Sequence, residues 1–265
     1  MSFFPVVFAG YLTSLALYFT HFEFQKPQAL AIAKKMIALT VVIHAGSLVW
    51  IYVQGGAGAV TGRPEYLIAL LAVLASILME WIGRAGSLMI FSLPLVLLIS
   101  LLGFLRTGHP VTGEDPRWLW LHVGAILTGI VSLLMAVACA FMYLLQSYQL
   151  KSKHLGNAFL RLPSLNTLER LHFRTLCGGV IFFSLGILTG LFWAQDLRGL
   201  GQVFHDPKVI LSFTTCFLYW VILGFHLSPL RRGQKIAAGT ALVFVLLLLT
   251  IVSTHMSSTA LHRGL

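Results

Sequence analysis

The sequence predicts an all-α fold, a polytopic membrane bundle of about eight transmembrane helices. Hydrophobic residues make up 58% of the 265-residue chain and charged residues only 10%. The mean hydropathy of +0.89 lies far outside the range of a water-soluble domain. Apolar runs of about 20 residues, the length that crosses a ~30 Å hydrocarbon core, recur eight times. They leave no room for a soluble domain, so residues 1–265 read as a single transmembrane domain.

The first run, 2–20, is followed by the earliest basic residue, Lys26, and no small-residue cleavage site ends it. It therefore reads as a retained helix and not as a signal peptide. The second run, 36–53, carries His44 near its middle, and the third and fourth, 65–82 and 87–104, flank Arg84. The fifth, 119–146, opens around Trp118, Trp120 and His122, which resemble an interfacial aromatic belt. A basic connection follows at 147–174, where Leu and Phe recur at near-helical spacing around Pro163. That pattern suits an amphipathic segment lying on the membrane surface, either as a topology anchor or as a docking surface for a cytoplasmic partner. The sixth and seventh runs are 175–194 and 209–227, the latter ending at His226 just before Pro229, Arg231 and Arg232. The eighth is 236–257, with His262 in the tail beyond it.

Orientation follows from Lys and Arg. With both termini outward, the inward connections carry twelve of the eighteen basic residues, including Lys34, Lys35, Lys151, Lys153, Arg170, Arg174, Arg231 and Arg232. The outward ones carry Arg63, Arg106, Arg117, Arg198, Lys208 and Arg263, which satisfies the positive-inside rule. Anionic lipid on the inner leaflet then accounts for the net charge of +10, and no nucleic-acid partner is needed. Cys139, Cys177 and Cys216 are isolated within apolar runs, so neither a redox CxxC nor a haem-attaching CxxCH is present; they read as small packing residues. Nothing in the sequence resembles a catalytic nucleophile, a phosphate loop or an acid/base carboxylate pair, and no internal repeat suggests a transporter.

Histidines carry the functional signal, because an imidazole in lipid is costly unless it pairs, ligates or lines a wet cavity. On the expected topology His122 and His262 share the outer side. His226 lies at the inner edge, and His44 lies within the bilayer. Two histidines on different helices suit a six-coordinate haem iron, whose porphyrin buries its faces among apolar helices. A structural zinc site would need four close ligands, which the cysteines and carboxylates do not complete. His44 and His226 would be offset in depth, by roughly 12 Å against 3 Å from the inner edge at 1.5 Å per residue, so tilt must absorb the difference. His205 and His255 also face outward and by spacing alone could replace His262. His21, His109, His154 and His172 fall in connections and read as solvated.

Several stretches resemble the CcsA-like cytochrome c assembly proteins, and within them the HemX and YpjD branch. These are LHVGAILTGIVSLLMAVACAFMYLLQ at 121–146, RLPSLNTLERLHF at 161–173, LGILTGLFWA at 185–194, FHDPKVILSFTTCFLYW at 204–220 and SSTALH at 257–262. The likeness is strongest over 119–265, and IHAGSLVWIY at 43–52 extends it towards the N-terminus. The resemblance implies an outward pair of haem-iron ligands, His122 with His262, and a membrane pair, His44 with His226. It favours His262 over His255, because ALH at 260–262 matches the family's final histidine.

One departure qualifies the implied activity. Members that present haem for attachment carry a run of tryptophans ending in Trp-Asp-Pro-Lys, a flat platform for porphyrin. Here the segment reads WAQDLRGLGQVFHDPK at 193–208, so the platform is reduced to Phe204, with His205 where tryptophan is expected. This argues against direct cytochrome c synthase activity and leaves Trp193, Phe204 and His205 as lining for an outer pocket. The expected function is a bacterial plasma-membrane protein that binds haem, as non-covalent haem b, and delivers it in cytochrome c maturation or haem homeostasis. Expected partners are haem, membrane lipid, and an apocytochrome c or second assembly membrane protein. Two alternatives use the same sequence differently. A b-type electron carrier would keep both haems, and a non-haem regulatory scaffold would bind a cytoplasmic tetrapyrrole enzyme through 147–174.

Overall fold

The computed structural model describes residues 3–83, 87–105, 116–153, 161–198, 207–227 and 233–261. Among these it holds eight α-helices: α1 (Phe4–Phe24), α2 (Pro27–Thr61), α3 (Pro64–Gly83), α4 (Leu88–Phe104), α5 (Pro116–Ser152), α6 (Leu165–Arg198), α7 (Pro207–Leu227) and α8 (Gln234–Leu261). Seven are apolar over a membrane-crossing length, and α4, with 17 residues, is shorter. The chain is a polytopic membrane helix bundle, as the apolar runs require.

The helices begin where the backbone chemistry favours a start. Proline, which gives up an N–H that the first turn cannot use, stands at the first position of α2, α3, α5 and α7. Gln25 closes α1 in the left-handed conformation, its N–H bonded to the His21 carbonyl at 2.9 Å, and α2 starts two residues later. Several helices are longer than the apolar runs. α2 extends past 36–53 in both directions and tolerates a break at Gly56, whose φ of 67° suits a residue without a Cβ.

The largest difference from the sequence expectation concerns 147–174. α5 continues to Ser152 and α6 begins at Leu165, and residues 154–160 between them lie outside the described residues. Hydropathy marks only the part of a helix that is as long as the bilayer is thick, whereas the start of α6 is set by polar chemistry. Pro163 precedes Ser164, whose hydroxyl accepts the Thr167 N–H at 3.3 Å in the manner of an N-cap. This cap places His172 inside a helix.

By contact the chain divides into two compact units, residues 1–111 with 141–171, and residues 112–140 with 172–265. In the first, α1 packs against α2 and α4, and α3 packs against α4 and α2, which closes a four-helix ring. Gly10 lets α1 approach α2 at Thr40, and Gly103 lets α4 approach α3 at Glu65. Phe4 and Phe104 stack at 4.2 Å between α1 and α4.

In the second unit, the first half of α5 lies antiparallel to α6 along a seam of glycines. A β-carbon on Gly129 would fall 2.5 Å from the Phe183 nitrogen, and one on Gly179 would fall 2.7 Å from Leu133 side-chain atoms. Farther along, one on Gly186 would meet Ile126, and one on Gly190 would meet His122. Each step of three or four down α5 is matched by an equal step up α6. Small residues at such spacing let backbones come close in lipid, where packing rather than water expulsion drives association. α7 joins through Trp220, whose Nε1 donates to Ser184 Oγ at 3.0 Å, and α8 joins α7 through Thr215 and Thr250 at 3.1 Å.

Replacing Gly129 with Val should cost about 1–3 kcal/mol of stability through overpacking. Gly124→Ala, where a β-carbon meets nothing within 4 Å, should be neutral or slightly stabilising. Unfolding by SDS titration in mixed micelles, followed by far-UV circular dichroism, checks both, and equal costs would refute the seam.

Candidate functional site

Three of the four histidines proposed as ligands lie in described helices, and each is held differently. His122 projects from the first turns of α5 towards α6. Its Nδ1 lies 2.8 Å from the Gly186 carbonyl oxygen, which can only accept. Nδ1 therefore carries the proton, and the neutral ring has its lone pair on Nε2. Gly190 makes room for the ring, since a β-carbon there would lie 2.6 Å from Cε1 and 2.8 Å from Nδ1. Two glycines one turn apart on α6 thus supply the acceptor and the space.

His226, next to the last residue of α7, is buried. Its ring meets His172 at 5.7 Å between centroids, at 80°, and Phe173 at 4.8 Å. His172 is also buried, and its Nε2 lies 3.0 Å from Thr240 Oγ1. Because the Thr240 hydroxyl donates to the Ile236 carbonyl, it accepts from His172, which fixes the His172 proton on Nε2. The sequence reading of His172 as a solvated connection residue is corrected here. Ser164 starts α6 early enough to carry His172 inside the unit. Along α6 the His172 and Gly190 positions are about 27 Å apart at 1.5 Å per residue, so the described residues of the second unit place one histidine station towards each end of α6.

His44, in the middle of α2, belongs to the first unit and is 1% exposed. Its Nδ1 lies 2.9 Å from the hydroxyl of Tyr11 on α1, a fully buried side chain. Tyr66 of α3 packs edge-on to the ring at 5.1 Å and 90°, and Phe4 joins Tyr66 to Phe104. Nε2 of His44 is buried without a hydrogen-bond partner among the described residues, and the Tyr66 main chain lies beside the ring.

His262, Phe204 and His205 lie outside the described residues, as do His109 and His154. Trp193 falls in α6 and His255 in α8, with side chains outside the description. His21 sits at the end of α1 beside the Lys26 carbonyl at 3.0 Å. Among the described residues, no three His, Cys, Asp or Glu side chains come together as a metal-binding group. The helices instead present histidines one or two at a time.

The sequence reasoning missed Tyr11, His172, Gly186 and Gly190. A phenol in the middle of the 2–20 apolar run was one available signal. Gly179, Gly186 and Gly190, spaced by seven and four on one helix face, were another.

Gly190→Ala should cost about 1–3 kcal/mol by overpacking against His122. In a His122→Ala background most of that cost should vanish, a coupling of about 1 kcal/mol or more in a double-mutant cycle; additive effects would refute the cradle. Thr240→Val should cost about 1–3 kcal/mol by leaving the His172 N–H unsatisfied. Thr240→Ser should restore most of it, as measured by the same micellar unfolding.

The family model described as Cytochrome C assembly protein matches residues 3–262. The inner membrane protein YpjD of Escherichia coli (strain K12) is 29% identical over 139 residues, covering 52% of this chain and 51% of that protein. The cytochrome c biogenesis protein CcsA of Prochlorococcus marinus (strain MIT 9303) is 23% identical over 266 residues, covering 88% and 83% respectively. CcsA of Guillardia theta is 24% identical over 161 residues, covering 55% and 53%. The chain thus spans about half the length of YpjD and of the Guillardia protein in these matches. No solved structure matches. With a family match over nearly its whole length, and a bundle of apolar helices that carries buried histidines, the chain belongs to the cytochrome c assembly protein family.

Proposed function

We propose that this protein binds haem within the bacterial plasma membrane and handles it as an accessory to cytochrome c maturation. The observation that carries this reading is the setting of His122. Histidines that ligate metals donate their other ring N–H to a carbonyl or carboxylate, which fixes the tautomer and ring orientation. The Gly186 carbonyl does this for His122 and leaves the lone pair on Nε2, the nitrogen that iron would use. The surroundings are apolar helices, which suit a porphyrin face.

On this reading His122 and His262 are the outward ligands, and Trp193, Phe204 and His205 line the pocket around them. His44 and His226 are further ligands, each supported by its own burial among aromatic rings. Haem binds non-covalently, as haem b, with the termini outward and the basic connections inward. When bound, haem supplies the iron and the redox chemistry; the protein supplies orientation, tautomer and exclusion of water. If a thioether forms, an apocytochrome c provides the thiols.

The test is the optical spectrum of the detergent-purified protein, reduced and oxidised, with and without added haem. Sharp reduced bands are expected in the wild type, with at least half of the bound haem lost in His122→Ala and in His226→Ala. A wild type that is colourless and ignores added haem would overturn the reading and leave a regulatory scaffold. Haem that persists in both variants would exclude these histidines as ligands.

A further inference from the structure

His122 and His44 rest in opposite tautomers, and the difference lies in what faces Nδ1. The Gly186 carbonyl opposite His122 has no proton to give, so Nδ1 must hold one. Opposite His44 stands the Tyr11 hydroxyl, at 2.9 Å. A phenol has one proton and both donates and accepts. Tyr11 is fully buried, and its hydroxyl makes one hydrogen bond among the described residues, to His44 Nδ1. If Nδ1 donated instead, the Tyr11 proton and the Nε2 lone pair would both be buried without partners, whereas donation by Tyr11 leaves only the Nε2 N–H unpaired among the described residues. Tyr11 therefore donates, Nδ1 of His44 accepts, and the neutral ring carries its proton on Nε2.

We propose that Tyr11 is a positioning residue that holds His44 in a tautomer unable to ligate, and so gates the uptake of haem iron at this histidine. The proposal rests on the haem reading above. Ligation through Nε2 requires the ring proton on Nδ1. A water molecule admitted with haem takes the Nε2 proton, Tyr11 gives its own proton to Nδ1 and is reprotonated from that water, so imidazole and phenol both end neutral and the Tyr11 oxygen becomes the acceptor. The heavy atoms keep the same hydrogen bond in both states, so the ring need not move. Tyr66, edge-on at 5.1 Å, restrains the ring plane throughout. His122, by contrast, is fixed in the ligating tautomer.

The test begins without haem. The full-length protein is labelled with ring-15N histidine, and its spectrum in lipid distinguishes protonated from unprotonated ring nitrogens, with His44 assigned by its loss in His44→Ala. The wild type should show His44 protonated at Nε2. Tyr11→Phe, which keeps the ring and removes the hydroxyl, should shift His44 to a mixture of tautomers. Tyr66→Phe should leave it unchanged. In a second measurement, Tyr11→Phe should take up added haem severalfold faster than the wild type, and the increase should disappear when His44→Ala is added.

Wild-type His44 protonated at Nδ1, or a tautomer indifferent to Tyr11→Phe, would overturn the proposal at its root. Haem uptake equal in wild type and His44→Ala would overturn the gate and the role of His44 as ligand together. The spectra would still report whether Tyr11 sets the tautomer, so the two failures are distinguishable.

Discussion

Close approach of α5 and α6 is the constraint on which the second unit depends. In lipid there is no hydrophobic driving force to hold two apolar helices together, so contact must come from backbones that can touch. Gly129, Gly179, Gly186 and Gly190 remove the side chains that would prevent it. The same seam exposes the Gly186 carbonyl to a side chain across the gap and leaves a ring-sized space over Gly190. His122 fills that space. Packing and ligand geometry are thus set by the same residues, and a change that loosens the helix pair also changes the direction of the imidazole.

Polar groups in such a setting have few possible partners, and this makes their protonation legible from heavy atoms alone. A carbonyl opposite His122, a hydroxyl already committed to Ile236 opposite His172, and a phenol opposite His44 assign three proton positions. In water these would be averaged by exchange. Among apolar helices each is held by the group that faces it, because a buried polar group that loses its partner costs free energy comparable to a hydrogen bond.

The fold class was legible because lipid forces a run of about 20 apolar residues for each crossing, and composition reports that directly. Helix ends were less so. Hydropathy stops at the polar boundary, whereas α2, α5 and α6 continue past it through proline starts and the Ser164 cap. His172 was misread for that reason, since its place inside the unit depends on a cap eight residues earlier. His44, His122 and His226 were legible as suspects because imidazoles are rare in lipid. Tyr11 gave a weaker signal, a phenol in an apolar run, whose meaning depends on what its hydroxyl meets across the helix pair.

α4 differs from its neighbours in length. Its 17 residues rise about 25 Å, against a hydrocarbon core of ~30 Å. Pro94 lies inside it, and Leu98, Leu101 and Phe104 are exposed, so lipid lies against this helix. Acyl chains beside it must shorten or splay to meet its ends, at a fraction of a kcal/mol for each Å of mismatch. Along α4 the first unit therefore presents a shorter apolar span to lipid than along α1 or α3, of 21 and 20 residues. Such a protein gains by residing in thinner membrane, or beside another protein that also thins it, and two proteins that deform the bilayer in the same way attract one another through the lipid between them.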